Sequence, residues 1–582
     1  MELFSIITSR EKVKVGIILG IFLVLAYSPI IFLDQSYYQL PAIPISENDS
    51  KDILFATTGD VYGIFQAIKP ELKFAIDSIN HGEFPFWNPY VGTGQPLAAD
   101  STQNLFSPTI LSYFLPVEFW DIAILSGMWL AGFFTFLFLR SLGLKFESAL
   151  MGSIIYMLSG AFSWYAHNPL PQVIIFTPLI LFSIEKIIQN NNPKFIVLGS
   201  VSLACGILGE HLETIILQLM LVISYFIFRI FSIYRNSKIN SDQSLVTVSN
   251  YNLKRIVSWI LIATICGIGL TSFFIFSAYD FIQNNHLEHD EFYGIQSYDP
   301  ITLASNFIPY ILGQLHAYWL PVTPGLVGFW GYVGTLGLFF SILGLLTISK
   351  KNNPNRFIPL FFIGISVFFI LKTVGAPLIN LIGTLPILNL INFVPYLGAI
   401  IPIGFAVTAS FGVEYIRKFD VKKNTIFKVL LITIAILLLL LIPIFPYLAD
   451  NADFLSNVTI SDARNYFGFQ VLQSIIFLVL VFLTVTFSTG KNFTKTALIS
   501  LVFLELSLYI PLGLHPIWMA YKAGIIIAAM ISITILSTSK KIQFAEVNQK
   551  NIKFIILVLI FIFTFIGVVM ISYLSPYGMM NK

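Results

Sequence analysis

Apolar runs of about 20 residues recur along nearly the whole chain, and no other feature constrains its fold as tightly. In hydrocarbon every backbone N–H and C=O must find its partner inside the protein, so a chain built of such runs folds as a bundle of helices. After a first run at 15–33, others lie at 120–139, 147–165, 171–188, 195–209, 212–233, 256–280, 329–349, 357–374, 395–416, 427–447, 467–487, 496–513, 516–537 and 553–574. This spacing predicts an all-α, polytopic integral membrane protein with about 13–15 transmembrane helices. With 56% hydrophobic and 11% charged residues the chain is no water-soluble globule, and a net charge of +3 gives no reason to expect nucleic acid as a partner. Cys205 and Cys266 both fall in apolar runs, so neither a disulfide framework nor a cysteine metal spacing is present.

The placement of basic residues sets the orientation. Arg10, Lys12 and Lys14 precede the first run, which leads into Ser28 and Pro29 with no small-residue cleavage site. An uncleaved anchor with a cytoplasmic N-terminus in the plasma membrane follows. The clusters Arg140 with Lys145, Lys186 with Lys194, Arg235 to Arg255, Lys350 to Arg356, Arg417 to Lys428, Lys491 with Lys495 and Lys540 to Lys553 then share one side. The other side receives outer loops 34–119 and 281–328, the loop after 447, and a Pro-interrupted stretch at 375–395 that reads as re-entrant. No soluble domain is visible between the runs, which argues against a pump or sugar transferase fed by cytosolic nucleotide.

The first outer loop carries the richest pattern. Residues 57–116 are too polar and too rich in Gly and Pro to span a bilayer, and too aromatic for a free linker, so they are expected to lie on the membrane surface as ordered structure. From Val61 the apolar positions Ile64, Phe65, Ile68, Leu72, Ile76 and Ile79 recur at helical spacing, with Lys69, Glu71, Lys73 and Asp77 off the stripe and a bend or restart at Pro70. Asp60 opens this helix, either as its N-cap or as a carboxylate that activates a hydroxyl or holds a divalent metal, and the two roles are compatible. Residues 83–99 read as irregular, with Trp87 and Tyr90 suited to the interface, and Asp100 with Gln103 resembles a capping box for a helix reaching Pro108. Asn88, Gln95 and Gln103 offer amides to a sugar.

Further polar groups fall on the same side. His167 lies in a short turn, and Glu210, His211 and Glu213 sit between two short spans, where acid and imidazole are costly unless paired or facing water; Glu210 and His211 pairing with each other would suffice. The second outer loop holds His286, His289, Asp290, Glu291, Asp299 and His316, a metal or acceptor-sugar site or a solvated charge run. Its Tyr298, Tyr310, Tyr318, Trp319 and Trp330 suit sugar stacking and an interfacial belt equally. Lys372, Arg464 and Lys522 break the charge trend and would suit a lipid phosphate, although snorkelling accounts for Lys372 and Lys522.

The order of Gly59-Asp60 with a following amphipathic helix, then GEFPFWNPYVGTGQP, then an FSP turn into a span resembles the YfhO family of bacterial and archaeal membrane proteins. GEHLET, WGYVGTLGL and LPILNLINFVPY are similar to features of that family in the same order. The resemblance implies a GT-C-like glycosyltransferase that moves a sugar from a polyprenyl-phosphate donor to an extracytoplasmic cell-envelope acceptor. Residues 1–416 would form its membrane catalytic module and 417–582 additional C-terminal transmembrane helices. It implies Asp60 as base or as ligand of Mg or Mn, with Asp100, Trp87, Asn88, Gln103, His167, Glu210, His211, Lys372 and Arg464 toward the substrate. A lipid-linked saccharide transporter without chemistry is the rival class, and an envelope scaffold a third.

Overall fold

The computed structural model describes residues 8–32, 69–99, 105–116, 119–163, 166, 169–190, 192–240, 253–284, 293–309, 311, 331–350, 355–419, 421–444, 446, 460–487 and 491–508. They are overwhelmingly helical. The helices used below are α1 (Ser9–Ala26), α2 (Lys69–Asn80), α3 (Asp121–Ser141), α4 (Phe146–Met157), α5 (Leu170–Ile174), α6 (Thr177–Gln189), α7 (Lys194–Ile207), α8 (Leu212–Asn240), α9 (Leu253–Leu270) and α10 (Ser272–Asn284). They continue with α11 (Gly334–Leu345), α12 (Ile358–Thr373), α13 (Phe393–Tyr396), α14 (Ile401–Lys418), α15 (Lys423–Leu441), α16 (Ile460–Phe487) and α17 (Lys491–Leu508).

Six helical stretches among the described residues are long and apolar enough to cross a bilayer: Asp121–Ser141, Leu170–Gln189, Leu212–Arg235, Leu253–Leu270, Phe393–Lys418 and Lys423–Leu441. A seventh results if Ile358–Thr373 is joined to Pro377–Thr384 across an 88° bend. The chain is a multi-pass, all-α membrane protein. The count is below the expected 13–15 because several runs are not single long helices. The run at 147–165 breaks after Met157, that at 256–280 breaks at Thr271, α7 has only 14 residues, and the runs at 516–537 and 553–574 lie outside the described residues.

α14 forms the axis of the bundle, with every residue from Ile401 to Glu414 buried, and α4, α11 and α12 pack around it. Small residues permit that approach. A Cβ on Gly412 would collide with the Phe340 carbonyl, so α11 and α14 touch backbone to backbone. The periphery is the reverse: α9 exposes Leu261, Ile262, Ile265 and Ile268, and only 17% of its spanning window is buried. An apolar belt facing outward is stable only against lipid.

Helix direction gathers the basic residues at one end of the bundle. There Glu11 pairs with Arg140 at 3.0 Å, Gln189 donates to the Ser141 carbonyl at 2.9 Å, and the Lys145 N–H donates to Glu414 at 3.2 Å. The opposite end carries the surface elements. α2 starts at Lys69 and passes through Pro70 in its first turn, as a restart there requires. Burial lowers the Lys69 pKa against the opposing pull of Asp121, which sets the start of α2 near the start of α3.

Two expectations for this loop are corrected. Residues 83–99 are not wholly irregular, since β1 (Trp87–Asn88) and β2 (Gln95–Pro96) pair antiparallel, and Gly94 at φ +99° lies against the Trp87 indole, where no Cβ would fit. No helix runs into Pro108 either. Residues 105–107 are turn and bend, and Pro108 begins the 3-10 helix Pro108–Phe114, capped by Ser107, because proline suits a first turn and not a last one.

Candidate functional site

At the end opposite the basic cluster, four distant stretches meet around Glu210. α7 stops at Ile207, and Gly209 lies so close to the backbone of α5 that a Cβ would sit 2.6 Å from the Val173 nitrogen. The next residue is forced into the left-handed region: Glu210 has φ +59°, a conformation costing a side-chain-bearing residue about 1–2 kcal/mol. It is 1% exposed, and its carboxylate accepts a 2.5 Å hydrogen bond from the Phe106 N–H of the first loop. Beside it Gln172 Oε1 accepts from Thr109 Oγ1 at 2.6 Å and from Ser107 Oγ at 3.3 Å, tying the same loop to α5. Gln218 of α8 closes the floor with bonds from Nε2 to the Val173 carbonyl and to Thr177 Oγ1, while its Oε1 has no partner among the described residues.

His211 does not pair with Glu210. Its Nδ1 accepts from the Thr214 N–H at 3.3 Å and lies 2.9 Å from Thr214 Oγ1, so it caps the start of α8 and its ring proton resides on Nε2. Burial lowers its pKa to about 4, so the imidazole is neutral and its 3.7 Å approach to Glu213 is no ion pair at neutral pH. The ring stands edge-to-face with Tyr396 of α13 at 4.5 Å.

α13 links this cluster to Lys372. The ammonium of Lys372 is buried, donates to the Gly294 carbonyl at 2.8 Å and to Asn380 Oδ1 at 2.6 Å, and lies 4.8 Å from the centre of the Phe393 ring. Asn380 in turn donates to the Ile295 carbonyl, and the Tyr298 N–H donates to the Thr373 carbonyl at 2.7 Å. The expected re-entrant stretch is therefore a set of short helical turns clamped onto 293–298. The clamp is tight at Gly383, where a Cβ would strike the Gly294 carbonyl. Lys372 is buried rather than snorkelling, and two of its donors hold this clamp.

The other expected residues fall into three groups. Asp60, Asp100, Gln103 and His167 lie outside the described residues, as do His286, His289, Asp290, Glu291, His316 and Lys522, and Arg464 lies on α16 where only the backbone is described. Trp87 and Tyr90 are 53% and 81% exposed, as an interfacial position requires. The amides offered to a sugar are engaged internally: Asn88 is buried with Oδ1 accepting from the Tyr90 N–H at 3.0 Å, and Gln95 donates to Glu71 Oε1 at 3.2 Å. Glu71 is itself buried, contrary to its place off the apolar stripe, because the hairpin folds over that face of α2. Asp299 caps the 3-10 helix Pro300–Asn306 by accepting from the Ile301 N–H, a structural duty.

Sequence reasoning missed Gln172, Thr214, Tyr396 and Asn380. The spacing of Thr214 three residues after His211 was a legible capping signal; the others are ordinary residues whose partners lie far along the chain. Among the described residues no group of three or more His, Cys, Asp or Glu side chains is placed to hold a metal. No family model, curated protein or solved structure matches the chain. The likeness to the YfhO family accordingly rests on the sequence motifs alone.

Proposed function

We propose that the chain is a membrane glycosyltransferase of the GT-C type, working at the extracytoplasmic face on a polyprenyl-phosphate-linked sugar. The observation that supports this reading is convergence. The first-loop segment at 105–109, the GEHLET turn and the LPILNLINFVPY stretch carry the family resemblance, and all three meet at one end of the bundle through Phe106–Glu210 and His211–Tyr396. With the basic end cytoplasmic, that meeting point faces outward.

In the reaction, Asp60 takes the proton of an acceptor hydroxyl as its oxygen bonds to the anomeric carbon, and the bond from that carbon to the phosphate oxygen breaks, releasing polyprenyl phosphate and glycosylated acceptor. Glu210 fixes the loop that follows Asp60 through the Phe106 N–H. The Nε2–H of neutral His211 is a donor suited to a sugar hydroxyl. Arg464 supplies charge for the departing phosphate, whereas Lys372 acts indirectly by holding the clamped turns. Asp60, which the resemblance also offers to Mg or Mn, lies outside the described residues.

Purified protein incubated with labelled polyprenyl-phosphate sugars and envelope acceptors should release polyprenyl phosphate, and Asp60→Asn should abolish release with membrane insertion unchanged. Full activity in that variant removes Asp60 from the reaction. Passage of the labelled lipid across vesicles without release would establish the transporter instead.

A further inference from the structure

We propose a second polar site, independent of sugar transfer, in which Gln470, Gln473 and Glu505 supply side-chain oxygens to a singly charged cation between α16 and α17. Gln473 is 1% exposed, yet among the described residues neither polar atom of its amide has a hydrogen-bond partner. Gln470, one turn away on the same buried face, leaves its Oε1 equally without a donor among the described residues. Amides buried in this state are rare in folded proteins, and two on one helix face point to a ligand.

Glu505 supplies the charge. It is buried in α17 and accepts from the Thr335 and Leu336 N–H groups at 2.7 and 3.0 Å, at the first turn of α11. No lysine or arginine pairs with it among the described residues, whereas the buried Glu185 and Glu414 each take an arginine. Two amide bonds leave lone pairs on both carboxylate oxygens.

Helix geometry sets Gln473 and Glu505 at one level. α16 ends at Phe487, α17 begins at Lys491 and the two pack against each other, so residues 473 and 505, equally far from those two ends, lie at the same depth. α11, which presents its first turn to Glu505, packs against both helices. Hard oxygen donors carrying one negative charge suit sodium or potassium; calcium sites gather more carboxylates.

Thermal unfolding of the full-length protein in detergent tests this, with NaCl, KCl and choline chloride compared at equal ionic strength. The melting temperature should rise by a few degrees over about a hundredfold increase in Na⁺ or K⁺ and stay flat in choline. Gln473→Leu, which keeps the bulk and removes the oxygen, should fold and lose the dependence, as should Glu505→Gln. Equal melting in all three salts, or an undiminished dependence in Gln473→Leu, overturns the proposal. Stabilisation by Mg²⁺ or Ca²⁺ alone overturns the charge assignment.

Discussion

The two ends of the bundle treat buried charge differently. At the basic end Glu185 is gripped by Arg229 and Tyr225, with Gln189 as a further donor, and Glu414 by Arg417, Lys418 and Ser148. At the opposite end Glu210 takes a backbone N–H, Lys372 takes a backbone carbonyl and an amide, and His211 is neutral. The sequence expectation that polar groups concentrate on one side is corrected: both ends bury them, and what differs is how they are satisfied. Ions neutralised by opposite ions fix one end, while Glu210 and Lys372 at the other are fixed through hydrogen bonds to backbone and amide groups.

Breaking the basic end should have the largest effect. Arg229→Leu strands the buried Glu185 carboxylate and should cost about 3–5 kcal/mol, read as loss of folded protein in detergent unfolding. Adding Glu185→Gln should recover much of that loss; a wild-type melt for Arg229→Leu alone would show that the ends do not differ. Gly383→Ala comes next. Its methyl group must push the clamped turns off the Gly294 carbonyl, at about 1–3 kcal/mol, and sugar transfer should fall further than stability does.

Glu210→Asn sharpens the contrast. Asparagine tolerates the left-handed conformation better and no longer buries a charge, so stability should change by about 1 kcal/mol or less while transfer is lost. A large drop in melting temperature would make Glu210 a structural acid like Glu185. The pH response of His211 probes the same end by titration. Its pKa is depressed in the folded protein, so the unfolded chain binds the proton first; its contribution to stability is intact above about pH 6.5 and declines as pH falls toward about 4. His211→Gln should flatten the melting temperature across that window, and an unchanged slope would assign the response to other groups.

Legibility varied with the distance over which each decision is made. The restart at Pro70 and the exposure of Trp87 could be read from neighbouring residues. The burial of Glu71 could not, because it depends on Gln95 across a hairpin only two residues deep, too short to leave a period-two pattern. Lys372 read as a phosphate ligand since a lone cation near a span end has many explanations, and its partners Gly294 and Asn380 carry no signal of their own. Glu505 drew no notice for the same reason: its partners are backbone N–H groups at 335 and 336.

The order of residues alone determined a helical, multi-pass chain with its lysines and arginines gathered at one end, since lipid admits only internally bonded backbone and helices of alternating direction return those side chains to the same level. Which acids meet a guanidinium and which accept from backbone N–H groups was decided only in three dimensions. A carboxylate's state depends on groups brought to within about 3 Å by packing between helices far apart in the chain, and no local pattern encodes that distance.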